Sequence, residues 1–237
     1  MRIDKLLANS TGLGRKEIKQ HIRKGGVLCN GEIIKDASAH VDENNDVITL
    51  NGKKITYRKY VYLMLNKPEG YISATYDKKY PVVTDLVPEE YSHYEVFPVG
   101  RLDIDTHGLL LLTNDGDLAH KLLSPKNHVP KTYYVKSDKP IKDGDAEVFE
   151  QGIELSEDFT TLPATLQCIS ENKKESLVTI CEGKFHQVKR MFEAIDNEVV
   201  YLKRISMGNL KLDEALEEGE CRPLKAEEMD LLLDGLN

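Results

Sequence analysis

Residues 100–116, GRLDIDTHGLLLLTNDG, concentrate the chemistry-bearing side chains of this 237-residue chain. Asp103 and Asp105 stand one residue apart, ahead of an apolar run and an Asn114-Asp115-Gly116 turn. Such a pair can hold a divalent cation through hard oxygen ligands, work as two carboxylates at a glycosidic bond, or simply occupy a solvated turn. In an extended backbone the two side chains would diverge, and a hard-metal site needs further oxygens that the sequence does not identify. The pair by itself leaves all three uses open. Elsewhere, Cys29, Cys168, Cys181 and Cys221 form no CxxC pair, which suggests packing residues in a reducing compartment rather than zinc or redox chemistry. The seven histidines show no ligand spacing, and neither a dinucleotide fingerprint nor a Walker A sequence occurs.

The elements that must position these groups divide into two modules. Ile3, Leu6 and Leu7 give a short first helix its apolar side, and Gly12 and Gly14 break it. Residues 15–24 then read as a second helix, in which Ile18 and Ile22 face a core while Arg15, Lys16, Lys19 and Arg23 fall on the adjoining arc. Asn30-Gly31 and Asn51-Gly52 predict two tight hairpins. Residues 56–59 look like a linker, giving domains at 1–58 and 59–237. Beyond it, YVYLMLNK, EVFPVG, KTYYVKS, ATLQCIS, SLVTICE and NEVVYLKRI read as strands, with helices at 117–123, 186–195 and in the terminal LKAEEMDLLLDGL segment, whose Leu224, Met229, Leu232 and Leu233 are available for packing. Strands outnumber helices without regular alternation, so the expected class is α+β with a mixed or antiparallel sheet.

Net charge is -8, a balance that argues against a polyanionic partner until it is divided. Residues 1–60 carry 12 basic and 7 acidic side chains, and the remainder carries 20 and 33. A positive first module can bind nucleic acid on an acidic protein, because steering depends on the local patch. Residues 121–142 add six lysines against Asp138 alone, either a second RNA-facing surface or ordinary solvation. No signal-like apolar stretch opens the chain and no run approaches a membrane span, so no membrane partner and a cytoplasmic location are expected.

The first module resembles the S4 RNA-binding domain through Arg2, Asp4, Lys5 and Leu6, then Ile22, Gly25, Val27, Asn30 and Gly31, then Asp46, Ile48 and Leu50. That resemblance implies RNA-backbone contacts at Arg15, Lys16, Lys19, Arg23 and Lys24. Across nearly the whole chain, NKPEG at 66–70, GRLDIDTHGLLLLTNDG at 100–116, KTY at 131–133 and EGKFHQVKRMF at 182–192 are similar, in order, to the S4-containing ribosomal RNA pseudouridine synthases. The resemblance implies Asp103 as the catalytic carboxylate, Tyr133 as the active-site tyrosine and Lys189 as its basic partner. It also implies Arg101 as a substrate contact and a reaction needing neither metal nor cofactor. Taken alone, Tyr133 reads as a packed strand ring, Lys189 as a solvent-facing helix lysine and His186 as a helix-start packing residue. Length, the S4 module and the EGKFHQVKRMF wording are most similar to the branch acting on uridine 516 of 16S ribosomal RNA. The implied partner is that RNA or a small-subunit assembly intermediate, with no obligatory protein partner. A large-subunit enzyme and a non-catalytic S4 assembly factor are the alternatives.

Overall fold

Local turn chemistry builds the N-terminal unit. In the computed structural model, which describes residues 1–234 and 236, helices α1 (Ile3–Thr11) and α2 (Arg15–Arg23) bury Ile3, Leu6, Leu7, Ile18 and Ile22. Strands β1 (Val27–Cys29), β2 (Glu32–Ile33), β3 (Ile48–Leu50) and β4 (Lys53–Ile55) form an antiparallel sheet in the order β2-β1-β3-β4. Asn30 and Gly31 both take positive φ, 53° and 86°, the backbone that a two-residue hairpin turn requires. The Asn30 side chain also donates to Asp46 at 2.8 Å and accepts from the Val47 amide at 2.9 Å, so one residue sets the turn and ties it to the next strand. Val27, Val41, Ile48 and Leu50 complete a core with the helical residues. Each such buried aliphatic contributes about 1.5–3 kcal/mol.

The unit boundary differs from the expected cut between residues 58 and 59. One unit comprises residues 1–61 and 87–96, and the other comprises residues 62–86 and 97–237. The inserted segment forms a short helical turn, Glu89–Tyr94, packed on α1. There His93 lies so close to Gly12 that a Cβ on that glycine would sit 2.8 Å from the His93 Cβ, and burial lowers the His93 pKa. A cut made by composition assumes that a domain is continuous along the chain, and residues 87–96 break that assumption.

The larger unit contains strands β5 (Tyr62–Lys67), β6 (Phe97–Pro98), β7 (His107–Thr113), β8 (Lys131–Ser137), β9 (Glu154–Ser156), β10 (Phe159–Thr160), β11 (Thr165–Cys168), β12 (Glu175–Ile180), β13 (Val199–Met207), β14 (Leu210–Lys211) and β15 (Cys221–Pro223). Its helices are α3 (Gly116–Leu123), α4 (Asp145–Gln151), α5 (Gln187–Ala194) and α6 (Ala226–Asp234). The main sheet runs β11-β12-β8-β13-β7-β5-β15, with β6 on β7 and β14 on β13, while β9 and β10 form a separate hairpin. Among the named strands of the described residues only β7 and β13 pair in parallel, so the sheet is mixed.

The central strand β7 and helix α4 are absent from the sequence expectation. A run of four leucines has no alternation to mark a strand, because both faces of β7 are covered and Gly108 through Thr113 are all buried. Gly108 makes the parallel pairing possible. It holds φ at +98°, and a Cβ there would collide with the Arg204 carbonyl across the strand pair. At the C-terminal end α6 buries Leu232, with Leu224 and Met229 packed against the core, whereas Leu233 is exposed. Gly235 of the terminal segment lies outside the described residues. All four cysteines are free, and Cys168 is exposed rather than packed. Among the described residues no helix is long and apolar enough to cross a membrane.

Candidate active site

Asp103 sits on the connection between β6 and β7, which turns rather than extends: the Thr106 amide donates to the Asp103 carbonyl at 3.0 Å. The turn sends both carboxylates to one ammonium. Lys189 Nζ, from the first half of α5, lies 3.6 Å from Asp103 Oδ2 and 2.5 Å from Asp105 Oδ1. The expected divergence of the two carboxylates therefore does not occur, and Lys189 favours Asp105. Burial works to raise the Asp105 pKa, but the Lys189 hydrogen bond and charge outweigh it and hold the carboxyl below its ordinary range. His186 Nε2 approaches Asp103 from the other side, at 3.7 Å. Among the described residues no group of three or more His, Cys, Asp or Glu side chains is placed to hold a metal ion.

The loop carrying Asp103 is held from below. Lys67, at the end of β5 and fully buried, donates to the carbonyls of Pro68 at 3.0 Å, Ile104 at 3.2 Å and Thr106 at 2.9 Å. Ser73 Oγ both donates to the Leu102 carbonyl at 2.9 Å and accepts from the Leu102 amide at 3.0 Å. The Gly70 amide adds a bond to the Ile104 carbonyl at 2.8 Å. Burial pushes the Lys67 ammonium down to about 8 against the opposing pull of Asp105 and Asp103. Lys67 is thus a strut, a role that its place in the NKPEG segment did not announce.

Asp103, Arg101 and Tyr133 line one cleft of about 1150 Å³. Tyr133 is only 7% exposed on β8 and pairs across the sheet with Val178 and Arg204. Arg101 is exposed at the cleft. Besides Arg101, exposed Lys184 and the buried Lys131 and Arg204 line it. Arg204, 2% exposed, donates through Nε to the Leu109 carbonyl at 2.8 Å, and its Nη2 has no protein partner. Lys131 donates to the Val129 carbonyl at 2.8 Å and is lowered to about 8, first by burial and then by Arg204. Lys131 accordingly drops out of the lysine-rich surface read from residues 121–142, whose other five lysines remain exposed. A basic residue inside the apolar strand VVYLKRI was the available signal for Arg204.

In the N-terminal unit Arg15, Lys16, Lys19, Arg23 and Lys24 are all exposed on α2 and its end, while Ile18 and Ile22 face inward. The helix therefore presents unburied charge on the arc that the sequence assigned to it.

Residues 61–194 match the RNA pseudouridylate synthase family, and residues 1–47 match the S4 domain. The chain belongs to the RNA pseudouridylate synthase family. The synthase is 48% identical over 234 residues to an uncharacterized RNA pseudouridine synthase, YtzG, of Bacillus subtilis, covering 98% of each chain. It is 40% identical over 230 residues to ribosomal small subunit pseudouridine synthase A of Escherichia coli, covering 97% of this chain and 98% of that one. A pseudouridylate synthase crystal structure superposes on it with a TM-score of 0.69 at 39% identity, covering 98% of this chain and 99% of the other. The architecture is thus an S4 domain followed by an α+β synthase domain, and the synthase isomerises uridine in RNA to pseudouridine.

Proposed function

We propose that the synthase converts uridine 516 of 16S ribosomal RNA, as free RNA or in a small-subunit assembly intermediate, within the cytoplasm and without a cofactor. The observation that carries this reading is that Asp103 and Tyr133 line one cleft, with the Lys189 ammonium 3.6 Å from the Asp103 carboxylate. The 40% identity to small-subunit synthases supports the choice of RNA.

Asp103 is the catalytic carboxylate in this reading. Ionised, it assists breakage of the N1–C1′ bond, by attack or by permitting loss of the 2′ proton. The uracil turns, C5 joins C1′, C5 gives up its proton and N1 ends protonated. Product and substrate are isomers, so neither oxidant nor energy source enters the balance. Lys189 offsets the penalty on a carboxylate in a site that the base will desolvate. Tyr133 offers the uracil a ring face and a phenol. Arg101 contacts the phosphate of the extruded nucleotide, and the α2 cations position the RNA backbone without reading bases.

Site-resolved pseudouridine mapping of ribosomal RNA tests the assignment. A strain lacking the protein should lose one pseudouridine at 516, regained with the wild type and not with Asp103→Asn. Loss at a large-subunit uridine would replace the substrate, and recovery with Asp103→Asn would remove Asp103 from its role.

A further inference from the structure

Phe185 is 76% exposed, although it belongs to the loop that lines the cleft. Isolated apolar side chains on a surface are ordinary, so exposure alone carries nothing. Its setting is specific. The Phe185 ring lies almost parallel to that of His186, with centroids 3.8 Å apart and planes 16° apart, so one face is covered and the other is open. His186 in turn stands 3.7 Å from the Asp103 carboxylate. A two-ring stack therefore runs from open solvent to the carboxylate.

The loop is held rigidly for an exposed segment. Buried Gln187 donates to Glu182 Oε1 at 2.9 Å and accepts from the Lys184 amide at 3.0 Å, while Glu182 also accepts from the Leu162 amide at 2.8 Å. His186 holds a left-handed backbone, φ 50°, uncommon outside glycine. Glu182 is thus held by hydrogen bonds near the loop, and exposed Arg101 and Lys184, the latter with its ammonium over the Phe159 ring, line the same cleft with charge suited to phosphates.

We propose that Phe185, backed by His186, is a stacking platform for the nucleobase next to the target uridine. When the uridine leaves its stack, its neighbour loses a stacking partner, and the open face of Phe185 replaces it. Stacking on an aromatic face tolerates any base, so the platform strengthens productive binding without reading sequence. The inference rests on the synthase reading above, because it needs an extruded uridine at Asp103.

The test compares kcat/KM of the wild type with Phe185→Ala, Phe185→Leu and Phe185→Tyr on RNA fragments spanning the uridine that mapping identifies. Each fragment is made intact and with an abasic nucleotide on the 5′ or 3′ side of that uridine. Phe185→Ala should lose roughly 5- to 150-fold on intact RNA, the range for one base stacked on one aromatic ring. Phe185→Leu should behave like Ala, since it keeps apolar bulk but not a flat face, and Phe185→Tyr should keep most activity. One abasic substitution should cost the wild type a similar factor and cost Phe185→Ala nothing further. Multiplying losses, or a Phe185→Ala protein as active as wild type, would overturn the platform. If mapping finds a uridine other than 516, the substrate choice fails and the platform is judged on the uridine found. A protein that converts none overturns both.

Discussion

The cations of α2 and the buried cations of the synthase unit are used in opposite ways. On α2, Arg15, Lys16, Lys19, Arg23 and Lys24 remain exposed, where salt screens them and where phosphates can displace their counter-ions. In the synthase unit Lys67, Lys131 and Arg204 are buried and aimed at backbone carbonyls. The first arrangement is suited to attracting a polyanion from a distance. The second holds loops and strands in place, at a desolvation cost visible in the lowered pKa values of Lys67 and Lys131. Charge counted along a chain does not distinguish these uses, as Lys131 demonstrates: it was read with surface lysines and is a buried strut.

The sharpest test of the division is Asp103→Asn. It removes one charge with almost no change in shape, so turnover should fall by at least about 10³-fold. RNA affinity should stay within a few-fold, because the substitution leaves the proposed RNA contacts of α2, Arg101 and Phe185 untouched. Single-turnover assays and filter binding on the same preparation check both halves, and comparable losses in each would dissolve the separation.

Lys67→Met follows in size. Three carbonyls lose the Lys67 donor, of which only that of Ile104 keeps the Gly70 amide, and the Asp103 loop loses its support, so activity should drop by about 10²-fold, as when a catalytic group is misplaced by an ångström. Melting measurements should show a stability loss of about 1–3 kcal/mol, from unsatisfied buried acceptors. An unaltered kcat would show that the loop holds its shape without the strut.

Replacing Arg15, Lys19 and Arg23 together with Gln should weaken RNA binding about tenfold at moderate salt and lower the slope of log affinity against log salt by about 2–3. Binding titrations across a salt series provide the slope. No change at any salt concentration would take α2 out of the interface.

Asp105→Asn should cost less, about tenfold or below in kcat, because it loosens Lys189 without removing the reacting carboxylate. A loss equal to that of Asp103→Asn in a folded protein would return the two carboxylates to equal standing.

The smallest expected effect is a dependence on pH. Lys67 deprotonates at about 8 in the folded protein, below the ordinary lysine value of 10.5. A neutral amine has two donors for three carbonyls, so kcat should decline through an alkaline limb near 8. Stability runs the other way for this group: between about 8 and 10.5 the unfolded chain binds the proton that the folded chain has released, so the Lys67 contribution to stability rises with pH over that window. Activity and melting profiles moving in opposite directions would carry the signature, while a flat kcat up to pH 9.5 would contradict it.

How far the sequence could be read depended on distance along the chain. Asn30-Gly31 specifies its turn because backbone preference is local, and the apolar spacing of Ile18 and Ile22 specifies the inner side of α2 for the same reason. Ordered motifs carried the resemblance that implies roles for Asp103, Tyr133 and Lys189, residues far apart along the chain. Tertiary structure alone decided three other matters. It assigned residues 87–96 to the first unit, since packing on α1 ignores chain order. It made β7 a central strand, since a leucine run covered on both faces carries no period to read. And it turned Lys189 toward Asp105 more closely than Asp103 and placed Lys67 beneath their loop, because an ammonium settles among whichever oxygens the folded backbone brings within reach.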